Sequence, residues 1–247
     1  MPHQSHTVLA FDVYGTLIDI QGVTSVLAAT LGEQAAAFST AWRSKQLEYS
    51  FRRGLMQNYA PFSVVTEQAL DFCIEQFQLD VTADTRASWL DAYHHLPAFD
   101  DARRALDKLA ESEARLFAFS NGTEADVNAL LEQAGLTSYF EDVVSVDALR
   151  SFKPNPGVYA HFMREADSHA HQSWLISGNP FDVIGARSAG MRAAWVKRDP
   201  NAVYDPWGIE PDIVVSDLSE LVQPNALSQQ VKQLDPPHHQ LEDKRLA

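Results

Sequence analysis

From Pro97 onward the sequence alternates helical stretches with short apolar runs that end in polar residues, a pattern produced by βαβ units. The apolar runs are 115–119, 143–146, 174–176, 193–196 and 213–215. Between them lie helical stretches at 100–112, at 124–134 stopping at Gly135, at 156–166, and at 181–189 stopping at Gly190. Right-handed crossovers stack these runs into one parallel sheet whose carboxyl ends share an edge. Residues 8–12, Val-Leu-Ala-Phe-Asp, supply a further strand of the same kind. The expected fold class is therefore α/β, with a Rossmann-like parallel-sheet core.

Residues 22–95 break the alternation, because they carry helical patterns and no convincing strand. Stretch 33–53 places Phe38, Trp42, Leu47 and Phe51 among polar residues and meets Gly54, which predicts its C-terminal stop. Stretch 61–78 begins at Pro61 and carries Val64, Val65, Ala69, Phe72 and Phe77; stretch 82–94 carries Trp89, Leu90 and Tyr93. The expected organisation is a core of residues 1–17 and 97–223, a helical cap inserted at 18–96, and a mobile tail at 224–247 containing Pro236-Pro237 and His238-His239.

With 247 residues, 45% of them hydrophobic, the chain is large enough for this core plus its insertion. Nineteen Lys and Arg against 33 Asp and Glu give a formal charge of −14, which argues against nucleic acid and anionic membranes as partners. An anionic substrate must then find local cations. No run approaches the ~20 apolar residues of a membrane span, and the start Met-Pro-His-Gln-Ser-His lacks the basic and apolar regions of a signal peptide, so a cytoplasmic location is expected. The one cysteine, Cys73, lies between Phe72 and Ile74 and reads as a helix core position. The nine histidines show no ligand spacing, and no metal site is expected.

Asp12 ends the first strand and enters the loop Val13-Tyr14-Gly15-Thr16. A carboxylate at that end of a parallel strand faces the crevice where open α/β sheets bind ligands, and it is ionised at neutral pH, which makes Asp12 a candidate covalent nucleophile. Two residues on stands Tyr14, where a phosphate-transferring enzyme wants a second acid to protonate an alkoxide; a departing halide needs no proton. Three later segments converge on the same edge. Ser120-Asn121-Gly122-Thr123 offers groups for a small carboxylate, or simply helix capping by Thr123. Lys153 follows in a short loop, with Tyr159 six residues later at a helix start. Ser177-Gly178-Asn179-Pro180-Phe181-Asp182 closes the set, and it reads equally as Asn179 capping a helix with Asp182 at its third position.

In this arrangement the chain resembles the haloacid dehalogenase superfamily, and within it the (S)-2-haloacid dehalogenases. Asp12, Ser120, Lys153 and Asp182 match the superfamily order of nucleophile, hydroxyl, lysine and acidic cluster. The segment Trp42-Arg43-Ser44-Lys45-Gln46-Leu47-Glu48-Tyr49 is the most specific match, since it lies in the variable cap. Phosphatase relatives carry a magnesium-ligating Asp where this chain has Gly178, and Tyr14 replaces their acid, so no metal or other cofactor is implied.

The resemblance implies a small halogenated carboxylic acid as substrate, attack by Asp12 at C2, and an ester intermediate. It implies that Arg43, Asn121 and Phe181 cradle the halide, and that Ser120 with the loop amides near Val13 and Tyr14 holds the substrate carboxylate. Leu47 and Phe62 complete the substrate-binding set. Asp182, oriented by Lys153, Ser177 and Asn179, is expected to activate the hydrolytic water, while Thr16 and Tyr159 position Asp12 and Lys153. A homodimer is likewise implied. The residues leave open a phosphatase, a ring-opening hydrolase of a strained azacyclic acid, and an idle binding protein on the same fold. Ser44, Gly178 and Phe181 depart from or vary within the family pattern and bear on substrate size.

Overall fold

The computed structural model describes residues 6–222, and the tail expected at 224–247 lies outside them. Six strands form one parallel sheet in the order β3-β2-β1-β4-β5-β6. They are β1 (Val8–Asp12), β2 (Arg115–Ser120), β3 (Asp142–Ser145), β4 (Ser173–Ser177), β5 (Arg192–Val196) and β6 (Ile213–Val215). The chain runs outward from β1 through β2 to β3, then returns to place β4 on the other side of β1. That reversal opens a crevice at the carboxyl ends of β1 and β4, the position at which open α/β sheets bind ligands.

β1 is buried along its whole length because it is covered on both faces. Its side chains alternate: Leu9 and Phe11 join one apolar cluster with Ala102, Leu106 and Leu130, while Val8 and Ala10 join the opposite one with Val158, Phe162 and Val183. The first cluster is roofed by α5 (Asp100–Leu109) and α6 (Glu124–Gln133), the second by α7 (Pro156–Glu165) and α8 (Pro180–Ser188). The expected stops at Gly135 and Gly190 follow the ends of α6 and α8 closely.

Between β1 and α5 the chain forms four helices, α1 (Gly22–Leu31), α2 (Ala35–Leu55), α3 (Phe62–Gln76) and α4 (Ala83–His94). Phe38 of α2 centres their packing: its ring lies 5.2 Å from that of Phe77 and 5.4 Å from that of Trp89. The indole N–H of Trp42 donates to the Thr66 carbonyl at 2.9 Å, which fixes α2 against α3. The two segments that join this bundle to the sheet run side by side, with Asp19 N–H donating to the Pro97 carbonyl at 2.8 Å and Phe99 N–H to the Leu17 carbonyl at 2.9 Å.

One expectation about these helices is corrected, and one helix is added. α2 does not stop at Gly54; it continues to Leu55, and the chain reverses at Gln57, whose φ is 54°. Gly54 instead sits beneath Phe152, where a Cβ would be 3.9 Å from that ring. α1 is a helix not specified among the sequence stretches, since only Val23 and Leu27 of it are buried and they make no stripe.

Candidate active site

Asp12 sits at the carboxyl end of β1, and its two oxygens have different neighbours. Oδ2 accepts from the Thr16 hydroxyl at 2.8 Å, the Ser177 hydroxyl at 3.1 Å and the Asn179 amide at 2.6 Å. Oδ1 accepts from the Lys153 ammonium at 3.2 Å. The loop that follows is tight: Gly15 takes φ of 84°, a conformation that a side chain disfavours, and its N–H closes on the Ile18 carbonyl at 2.8 Å. This turn brings the Thr16 hydroxyl back under the carboxylate, where it donates to Asp12 and accepts from Gly178 N–H at 2.8 Å.

Lys153 is 1% exposed and lies between two carboxylates. Its ammonium donates to Asp182 Oδ2 at 2.8 Å and to the Phe119 carbonyl at 2.9 Å as well as to Asp12. Burial alone would lower its pKa, but Asp12 and Asp182 outweigh that and hold it above the ordinary lysine value. The Asp182 carboxyl is shifted the other way from a usual aspartate: burial raises its pKa, Asp12 adds to the rise, and Lys153 and Tyr159 oppose it. The Lys153 main-chain N–H donates to Asn121 Oδ1 at 2.9 Å, which ties the lysine loop to the end of β2.

Here the geometry departs from the roles the sequence suggested. Ser177 and Asn179 do not orient Asp182; they donate to Asp12. Tyr159 does not position Lys153; its hydroxyl donates to Asp182 Oδ1 at 2.7 Å. Asn179 stands at the N-cap position of α8 but makes no side-chain capping bond, because its amide is committed to Asp12 and to the Tyr14 carbonyl at 3.0 Å. Thr123, by contrast, does cap α6, accepting from Asp126 N–H at 3.2 Å.

Ser120 accepts from Gly122 N–H at 3.1 Å, and its hydroxyl proton remains available to a ligand. Val13 is buried in the β1 turn, its carbonyl accepting from Leu17 and Ile18 N–H. Tyr14 leans on Phe62, the first residue of α3, with ring centroids 5.9 Å apart. Arg43 reaches from α2 to this region: its charge interacts with Tyr93, Asp12 and Tyr14, while burial lowers its pKa from the ordinary arginine value. Leu47 lies one turn after Arg43, on the same face of α2. Phe181 turns its ring onto Phe51 of α2, with centroids 5.1 Å apart.

On the Tyr14 side a cavity of about 220 Å³ is lined by Tyr14, Phe62, Leu90 and Tyr93 among others. On the Lys153 side a more apolar cavity of about 490 Å³ is lined by Phe51, Phe152, Lys153 and Phe181. Tyr93 is a neighbour of the site that sequence reasoning assigned only to helix packing; its ring packs at a tilt against Trp42, centroids 4.7 Å apart, and its phenol is pushed up to about 12 by burial. Its position four residues after Trp89 on α4 marks both as inward-facing but does not reveal that Tyr93 meets Arg43.

Gly178 has a backbone reason to be glycine. A Cβ there would lie 2.3 Å from the Gly15 carbonyl oxygen, so the magnesium-ligating Asp of phosphatase relatives does not fit without displacing the Asp12 loop. Among the described residues there is no cluster of three or more His, Cys, Asp or Glu arranged to hold a metal. Nor, among them, is any helix long and apolar enough to cross a membrane.

A strand-end aspartate held by a lysine shared with a second carboxylate, under an inserted helical bundle, defines a capped α/β hydrolase. The sequence model of the family described as haloacid dehalogenase-like hydrolase matches residues 9–196. The (S)-2-haloacid dehalogenase 2 of Pseudomonas sp. (strain CBS-3) is 33% identical over 89% of this chain and 95% of the relative. The (S)-2-haloacid dehalogenase of Pseudomonas sp. (strain YL) is 34% identical over 87% of this chain and 92% of the relative. The solved structure of L-2-haloacid dehalogenase from Xanthobacter autotrophicus superposes with a TM-score of 0.82 at 32% identity, covering 88% of this chain and 97% of that one. The same enzyme has been solved with chloropropionic acid covalently bound, with the same score and coverage. The chain belongs to the haloacid dehalogenase-like hydrolases and, within them, to the (S)-2-haloacid dehalogenase family.

Proposed function

We propose that this protein hydrolyses short (S)-2-haloalkanoic acids to (R)-2-hydroxy acids and halide through an ester on Asp12. The observation that carries the reading is the asymmetry of Asp12. Oδ2 is held by three neutral donors, which leaves Oδ1, beside Lys153, as the attacking atom. Oδ1 attacks C2 from the side opposite the halogen, the carbon–halogen bond breaks with its electron pair leaving on the halide, and C2 inverts. Arg43 stabilises the departing anion from the cap, with Asn121 and Phe181 as its partners, and Ser120 and the Val13–Tyr14 loop amides bind the substrate carboxylate. Leu47, Phe62 and Tyr14 enclose the alkyl part.

In the ester, Oδ2 is the carbonyl oxygen, and Thr16, Ser177 and Asn179 already donate to it. These donors form a preorganised oxyanion site for the second step. Asp182, fixed by Lys153 and Tyr159, takes a proton from water as the water oxygen adds to Cγ of Asp12. The Cγ–Oδ1 bond then breaks, the alkoxide receives that proton, and the second water proton is lost to solvent as Asp12 returns to its carboxylate. No step passes through a metal or organic cofactor. Residues 18–96 act as the cap domain over a core of 1–17 and 97–223. The protein is taken to work in the cytoplasm as a homodimer, for which the exposed Leu55 and Met56 at the end of α2 offer apolar surface. Light scattering at twice the 27.5 kDa chain mass supports the dimer, and the single mass removes it.

Single turnover in ¹⁸O-water tests the chemistry. The hydroxy acid is expected to carry no label and the Asp12 side chain to carry one ¹⁸O. Label in the product would mean direct attack of water on C2 and would overturn the covalent route.

A further inference from the structure

We propose that Gln46 is the positioning residue that aims Arg43 at the leaving group, and that it is an amide because a carboxylate there would quench the charge Arg43 must lend. The inference rests on the dehalogenase reading of the site. Arg43 Nη1 donates to Gln46 Oε1 at 2.7 Å, three residues along α2. The Gln46 amide nitrogen in turn donates to the Thr66 hydroxyl, and that hydroxyl donates to the Phe62 carbonyl at 2.8 Å. Gln46 is fully buried, and Thr66 nearly so.

The direction of this chain is chemically forced. A guanidinium only donates, so Gln46 must turn its oxygen to Arg43 and its nitrogen to Thr66. Thr66 Oγ1 then accepts from Gln46 and spends its own proton on Phe62. The Thr66 carbonyl is pinned by the Trp42 indole at 2.9 Å, so the far end of the relay is anchored to the rigid α2–α3 contact. A long arginine side chain is thereby held in one rotamer before substrate arrives, which lowers the ordering cost at the transition state.

Neutrality is the second half of the argument. A glutamate at position 46 has the same length and would accept from Arg43 more strongly, as a charge-assisted pair. It would also place an anion against the guanidinium whose task is to stabilise a departing anion, and it would lose the donor that Thr66 requires. Gln46 thus fixes the guanidinium without neutralising it.

The test compares Gln46→Glu, Gln46→Met, Thr66→Val and Thr66→Ser with the unaltered protein by rapid quench on (S)-2-chloropropionate, with bromide inhibition measured in parallel. Gln46→Glu is expected to slow ester formation about 10²-fold and to weaken bromide inhibition, and Gln46→Met to do both by about 10-fold, since a charged donor at such a place is worth ~10²–10³-fold. Ester hydrolysis is expected to stay within about twofold in both. Thr66→Val follows the same pattern more weakly, and Thr66→Ser, which keeps the hydroxyl, behaves as the unaltered protein. If Gln46→Glu leaves ester formation and bromide inhibition unchanged, or if the Gln46 and Thr66 variants slow both steps alike, the proposal falls while the dehalogenase reading stands. Should either Gln46 variant fail to fold, the Thr66 pair carries the same decision. An unaltered protein that releases no halide from either 2-chloropropionate enantiomer overturns the reading beneath it.

Discussion

At the scale of single residues, the site separates charge by step. Arg43 belongs to the cap and serves ester formation; Asp182 belongs to the core and serves ester hydrolysis; Lys153 touches Asp12 and Asp182 and serves both. Arg43→Ala is expected to slow ester formation by ~10²–10³-fold without trapping an intermediate. Asp182→Asn keeps the shape but removes the base, so the ester on Asp12 accumulates and appears as added mass on its peptide. An ester that builds up in Arg43→Ala and never in Asp182→Asn would reverse the two roles. The pH dependence follows from the same assignment. Asp182 must be ionised to take a proton from water, and burial raises its pKa above that of an ordinary aspartate. The rate of ester hydrolysis is therefore expected to climb through an acid limb lying above the usual carboxylate range, and Asp182→Asn abolishes that limb. A limb at or below the ordinary aspartate value would contradict the assignment.

At the scale of elements, the β1 and β4 loops are fitted to each other rather than placed side by side. Gly178 N–H donates to Thr16, and a Cβ at 178 would collide with the Gly15 carbonyl at 2.3 Å. Gly178→Asp is therefore expected to lower stability by about 1–3 kcal/mol, as overpacking against backbone does, and to cut activity by moving Thr16 off Asp12. Thermal unfolding with a halide-release assay checks this, and an unaltered melting point would show that the loops yield freely. The strands here are legible because each carries a short apolar run that ends in, or is followed at once by, a polar residue. The types of residue at the strand ends were legible too, but their pairing was not. Whether Ser177 and Asn179 reach Asp12 or Asp182 depends on how the β4 loop folds over the Asp12 loop, and nothing in the local sequence encodes that direction. The partner of Tyr159 is hidden for the same reason, since a helix start shows where a ring begins but not which carboxylate its hydroxyl meets. α1 leaves no mark in the sequence pattern, because burying only Val23 and Leu27 requires no periodic stripe.

At the scale of the whole molecule, the question is what keeps the inserted helices closed over the sheet once Arg43 must act on a leaving group that Asp12 displaces. Besides the paired linkers at Asp19–Pro97 and Leu17–Phe99, aromatic contacts bridge the two parts: Phe51 on Phe181, and Tyr59 on Phe152 at 5.1 Å. Tyr59 does more than pack. Its hydroxyl donates to Asp147, which follows β3, while the Arg150 guanidinium lies 5.7 Å from its ring centre. Burial and the bond to Asp147 raise the phenol's pKa, so it remains a donor throughout the working pH range. The latch therefore joins the loop before α3 to the segment that leads into Lys153. Tyr59→Phe retains the ring and its contact with Phe152 but removes the hydroxyl, leaving Asp147 without that donor. The expected result is a loss of about 1 kcal/mol in stability, a KM raised several-fold, and a kcat that changes far less. Amide hydrogen exchange is expected to quicken at 56–62 and 146–153 while β1 keeps its protection. Exchange that quickens in β1 as strongly as in those two segments would mean that Tyr59 supports the fold as a whole, and an unchanged KM would mean that closure does not depend on it.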